Sequence, residues 1–151
     1  MKKVFSLLVT MILFVALTGC GKKETKTCTI TEDNQKQIIT VSATNNTVDE
    51  MEMTMIFESD FFGMDDLNAL TNDQKEQIKT NMLKALGLEK SNYDGFSITI
   101  DITDVMTVVI DADLEVVDPD VIKKVGLDFT DTDMDFDRGI QSLIDNGAVC
   151  K

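Results

Sequence analysis

Histidine and tryptophan are missing from this 151-residue chain, and tyrosine (Tyr93) and proline (Pro119) each occur once. Without imidazole there is no Ser-His-Asp triad, no His-ligated zinc and no acid/base group with an ordinary pKa near neutrality. A pair of carboxylates can hydrolyse a glycosidic bond without histidine. No such pair is fixed by this sequence, however, and the aromatics that usually line a sugar cleft are scarce. The chain is therefore expected not to be an enzyme. Cations are scarce too: 14 Lys and Arg stand against 27 Asp and Glu, a formal charge of −13. Such a surface repels nucleic acid and anionic lipid and favours partners that are cationic, neutral or bridged by divalent ions, although a solvated acidic surface that only aids solubility has the same composition. There is no internal repeat and no low-complexity tract.

The one long apolar run lies at the start. Lys2 and Lys3 precede a nearly unbroken apolar stretch over residues 4–16, long enough for the core of an export signal and short of the roughly 20 residues that span a bilayer. Leu17, Thr18, Gly19 and Cys20 then match the lipobox of bacterial lipoproteins, where small residues fit a peptidase and the thiol takes a diacylglyceryl group before cleavage. The expectation is a signal peptide over residues 1–19 and a lipidated Cys20. Two or three acyl chains make attachment stable where one is marginal. Residues 20–27 are read as the lipidated cysteine and a short polar linker, and residues 28–151 as a single domain, about the size that one core can support. The protein is expected on the outer side of the cytoplasmic barrier, at the cell surface or in the periplasm. Lys22, Lys23 and Lys26 form a basic stalk beside the lipid, each worth about 1 kcal/mol near an anionic surface.

Three cysteines leave an even remainder once Cys20 carries lipid. Cys28 and Cys150 are then expected to form a disulfide in an oxidising compartment. It would close nearly the whole domain, a constraint worth about 4 to 5 kcal/mol in the chain-entropy model.

Alternation of apolar and polar residues predicts a hairpin from Cys28 through Ala43, a strand carrying Met51, Met53, Met55 and Phe57 on one side, and two strands from Phe96 onward. Thr71 and Gln74 read as a capping box for a helix that buries Ile78 and Met82 and ends near Gly87. Asp118 and Pro119 open a short second helix. A third is expected from about Asp133 to Asp145, followed by a last strand that pairs with the first at the disulfide. The fold class expected is α+β: a single antiparallel sheet of about 5–6 strands with helices packed on one face.

The lipobox, the stalk, this order of elements, and stretches such as Met106-Thr107-Val108-Val109-Ile110-Asp111 and Gly139-Ile140 through Gly147 resemble the YehR family of small bacterial lipoproteins over residues 28–151. That resemblance implies an α+β lipoprotein domain without an assigned molecular role, so it supplies no catalytic residues.

Three groups of residues are candidate sites. Asp128, Asp131, Asp133, Asp135 and Asp137 crowd one segment and could hold Ca²⁺ or Mg²⁺, but an EF-hand from Asp131 would need glycine at Phe136 and glutamate at Ser142, and carboxylates also favour a helix start through its dipole. Met51, Met53 and Met55 place three thioethers on one strand face, as a Cu(I) site would, although core packing explains them better. Asp101, Asp111, Asp113 and Glu115 lie on polar strand faces and either gather a cation or face water. No resident cofactor is expected apart from the lipid on Cys20. The leading functional expectation is a membrane-anchored, non-enzymatic binding or accessory module that meets an envelope protein or small ligand through its sheet face or acidic rim. The alternatives are a divalent-cation-binding lipoprotein using the Asp128 to Asp137 segment and a purely structural envelope component.

Overall fold

The computed structural model describes residues 21–126 and 134–151. Strands β1 (Lys23–Glu32), β2 (Gln35–Thr44) and β3 (Thr47–Phe57) form a meander. Its second turn holds Asn45 and Asn46 at φ 53° and 65°, the left-handed pair that a tight two-residue hairpin requires and that asparagine tolerates. Two 3₁₀ turns follow (Ser59–Phe62 and Leu67–Ala69), then helix α1 (Asn72–Ala85). Strands β4 (Asn92–Tyr93), β5 (Phe96–Ile102) and β6 (Met106–Asp113), helices α2 (Pro119–Lys124) and α3 (Phe136–Asp145), and strand β7 (Val149–Cys150) complete the order.

Among the described residues, seven strands join one antiparallel sheet in the order β4-β5-β6-β3-β2-β1-β7. This is one strand more than the upper end of the expected 5–6. The unforeseen strand is β4, whose two residues are too few to show a period. A second correction concerns the linker expected over residues 20–27: β1 already starts at Lys23, and Lys23 to Thr27 pair with Thr44 to Thr40. Its Lys-Glu-Thr-Lys-Thr composition looks like a linker because this part of the strand lies at a sheet edge with one solvated face, where charges are tolerated.

Register explains the two faces. Cys150, Cys28, Ile39, Met53, Ile110 and Ile98 lie opposite one another in a single row across the sheet. Because side chains alternate, the next row puts Thr27, Thr40, Glu52, Asp111 and Ser97 on the other face. The apolar face carries both core clusters. The larger joins Met51, Met53, Ile98, Val108 and Ile110 to Val121 and Ile122 of α2, with Ile78 and Met82 of α1 packed against it. The smaller joins Cys28 and Ala43 to Phe136 and Ile140 of α3 and to Ala148. The helices thus lie on one face, as expected. The sheet, both clusters and the disulfide fall within residues 21–151.

Local signals act where they are read. Thr71 Oγ1 accepts from the Gln74 N–H at 3.3 Å while Gln74 Oε1 accepts from the Thr71 N–H at 2.8 Å, and Asp118 Oδ1 accepts from the Asp120 N–H at 2.9 Å with Pro119 behind it. The disulfide joins Cys28 and Cys150. Thr27 and Lys151 exchange both backbone hydrogen bonds, at 3.2 and 2.9 Å, so the neighbouring Cys28 and Cys150 form a non-hydrogen-bonded pair, the position where cross-strand side chains come closest.

Candidate functional site

The polar face of β3 and β6 gathers four carboxylates. Glu50 lies directly opposite Asp113, and Glu52 directly opposite Asp111. Directly opposed like charges destabilise a sheet, by about 0.2 to 1 kcal/mol per pair by the usual scale of cross-strand effects. Beside them opens a shallow concavity of about 500 Å³, bounded by Thr40 and Ser42 of β2, Ser97 of β5, and Asn92 and Tyr93 of β4.

Several local devices build this surface. Ser42 pairs with Glu50 but Ala43 with Val48, so Asp49 is the extra residue of a β-bulge, which bends the strand and raises its twist. Thr44 Oγ1 donates to Asp49 Oδ2 at 2.6 Å. Asp49 Oδ1 is buried with no hydrogen-bond partner among the described residues. The hydroxyls of Thr25 and Ser42 hydrogen-bond at 3.0 Å, as do those of Thr27 and Thr40 at 3.1 Å. Ser97 Oγ donates to Asp111 Oδ2 at 3.2 Å. Gly95, at φ 67°, closes the turn between β4 and β5; a Cβ there would stand 2.7 Å from the Val117 backbone nitrogen, so the left-handed backbone and the close approach both require glycine. The Tyr93 hydroxyl accepts from the Glu89 N–H at 3.0 Å, and Lys90 Nζ sits 4.9 Å from the ring centroid.

A lysine of β1 meets these carboxylates. Lys23 Nζ donates to Glu50 Oε2 at 3.2 Å. The hydrogen bond to Glu50, then its charge, raises the Lys23 pKa above its ordinary 10.5, against a small opposing effect of desolvation. The pair's contribution is present below that ordinary value and is lost as pH rises through the raised one. Both groups are well exposed, so the pair is weakly held and exchangeable.

The residues singled out from sequence divide between this site and other duties. Asp111 and Asp113 come together with Glu50 and Glu52. Asp101 lies opposite Thr107, toward the other end of β6, and Glu115 sits in the turn beyond it, its N–H donating to Asp113 Oδ1 at 3.1 Å. Asp128, Asp131 and Asp133 lie outside the described residues. Asp135 caps α3, accepting from the Arg138 N–H at 3.0 Å, and Asp137 sits in the first turn, its N–H donating to Asn46 Oδ1 at 3.2 Å. Among the described residues no group of three or more Asp, Glu or Cys side chains is placed to hold a metal ion. Met51 and Met53 are buried in the core and the Gln37 amide donates to Met53 Sδ at 3.2 Å, so packing accounts for the methionine stripe.

Glu50 and Glu52 are the site residues that sequence reading left aside. Their outward direction was legible from the alternation in β3. Their pairing with β6 was not, because α1, β4 and β5 intervene in the chain.

No family model matches the chain, and no curated protein matches it. Among solved structures, it is similar to a protein from Streptococcus pneumoniae TIGR4 determined by NMR, at a TM-score of 0.56 and 15% identity over 89% of this chain and 88% of that one. At that identity the likeness concerns the fold alone: the arrangement of the sheet and its helices is one that the Streptococcus pneumoniae chain also adopts.

Proposed function

We propose that this chain is a membrane-anchored, extracytoplasmic binding module of the cell envelope, non-enzymatic, whose polar sheet face takes a ligand with spaced positive charges. The observation that carries this reading is the opposition of Glu50 to Asp113 and Glu52 to Asp111 beside the concavity. Four carboxylates that repel one another are stabilised most by a cation laid across them. Spread over two strands, they suit ammonium or guanidinium groups a few ångströms apart better than the compact oxygen shell of one Ca²⁺ ion. Lys23 on Glu50 is the internal example of the group such a face accepts. The shared chemistry is that of a linear polyamine or of closely spaced Lys and Arg side chains.

The anchoring half of the proposal rests on the lipobox ending at Cys20 and on the likeness to YehR lipoproteins in element order. Its test is metabolic labelling with an alkyne fatty acid: the chain takes the label and partitions with membranes, and Cys20→Ser loses both. A soluble, unlabelled native chain would refute it.

The binding half is tested by calorimetric titration of residues 21–151 with spermidine, pentalysine, Ca²⁺ and Mg²⁺. Spermidine or pentalysine is expected to bind, and E52Q/D111N to weaken that binding at least about tenfold, or 1.4 kcal/mol. Equal binding by the variant, or preference for the metal ions, would overturn it.

A further inference from the structure

The end of the sheet away from residue 21 carries a different surface. Where β3 ends, the rings of Phe57, Phe61 and Phe62 form one cluster, with centroids 4.8 Å apart for Phe57 and Phe61, 6.0 Å for Phe57 and Phe62, and 5.2 Å for Phe61 and Phe62. Phe57 is half-buried at the margin of the core, whereas Phe61 is 50% exposed and Phe62 39%. The turn that presents them is held at both ends. The Glu58 N–H donates to the Asn34 carbonyl at 3.0 Å, tying it to the β1–β2 hairpin, and the Gly63 and Met64 N–H groups donate to Asp60 and Ser59 carbonyls at 3.0 and 3.1 Å. An aromatic cluster held in place before binding loses little freedom on meeting a partner, the property of an interface anchor.

The charge around the rings narrows what can meet them. Glu58, Asp60, Asp65 and Asp66 are all exposed, and the segment from Phe57 to Asp66 contains no Lys or Arg. Among the described residues none of the four has an ion-pair partner. An apolar centre inside an anionic rim disfavours anionic lipid and also a second copy of the same tip, because like rims repel. It complements a segment that carries apolar side chains flanked by Lys or Arg. Position agrees: the ten-residue β1 separates the tip from the residue that follows Cys20 by about 30 Å along the strands.

We infer that the Phe61–Phe62 turn is a docking site for a basic amphipathic segment of another protein, apolar side chains on the rings and cations on the rim, separate from the polar-face site. The probes are a 14-residue helical peptide with leucines on one face and lysines on the other, and a control of equal charge with serine in place of leucine. Anisotropy titrations use residues 21–151. The Leu/Lys peptide is expected to bind at least about tenfold more tightly than the Ser/Lys control, and F61S/F62S to remove that advantage. D60N/D65N is expected to weaken binding and flatten its salt dependence, while E52Q/D111N on the other face leaves the advantage intact. Phe61 and Phe62 are the exposed rings of the cluster, so the double variant is expected to fold with a cooperative melt, and a D60N/D65N chain with the rings in place provides a second reading. Equal affinity for both peptides, an advantage that survives F61S/F62S, or loss of the advantage only in E52Q/D111N would overturn the inference. So would a concentration-dependent dimer, detected by sedimentation, that F61S/F62S abolishes, since the occupant would then be a second copy.

Discussion

Single residues carry the tension of the polar face. Glu52 faces Asp111 and has no ion-pair partner among the described residues, so its charge costs stability that an uncharged isostere recovers. Glu52→Gln is expected to raise the unfolding free energy of residues 21–151 by about 0.2 to 1 kcal/mol in urea titrations. A decrease would mean that the carboxylate is structurally satisfied, and the case for a ligand there would weaken. Gly95 is the opposite kind of residue. Alanine there takes an unfavourable φ and meets the Val117 nitrogen and the Asp113 carbonyl, so Gly95→Ala is expected to cost about 1 to 3 kcal/mol and to reduce binding on that face by shifting the β4 edge of the concavity.

At the scale of elements, α3 and β7 meet β1 and β2 in the smaller core cluster, which the disulfide crosses. Phe136 is only 1% exposed, and Phe136→Ala is expected to cost about 3 to 5 kcal/mol by chemical denaturation. C28S/C150S removes a constraint spanning 122 residues and is expected to cost about 2 to 5 kcal/mol, with the same loss on reduction of the native protein. The capped helices and long strands were legible because each depends on local rules: Thr71 with Gln74, Asp118 before Pro119, and strict alternation from Phe96 to Ile102. The cysteine pair followed from counting. What escaped depends on distance along the chain. β4 exists because β5 presents a free edge beside Asn92 and Tyr93, the start of β1 is strand because Thr40 to Thr44 pair with it, and the phenylalanine cluster needs Phe57 brought beside a 3₁₀ turn with no period of its own. The carboxylate site is half legible for the same reason, with Asp111 and Asp113 named from their strand and Glu50 and Glu52 joined to them only by the sheet.

For the whole molecule the governing quantity is charge. Removal of residues 1–19 would take with it Lys2 and Lys3 and no acid, moving the formal charge from −13 to −15. Self-repulsion of that kind weakens the compact state and is screened by salt. Raising NaCl from about 0.01 M to about 1 M shortens the screening length from roughly 30 Å to 3 Å, and the melting temperature of residues 21–151 is expected to rise by several degrees. A flat or falling curve would show that the carboxylates are already balanced within the fold.

The placement of the phenylalanine turn at the far end of strands that begin beside residue 21 also has a mechanical meaning. A pull between those two points runs along the strands, loading the ten paired positions of β1 and β2 in shear, so that their hydrogen bonds bear the load together instead of parting one by one. The Cys28–Cys150 bond holds β7 against β1, on the side away from β2. A domain built this way, held at one end and gripped at the other, yields far less readily than the same sheet peeled from its edge.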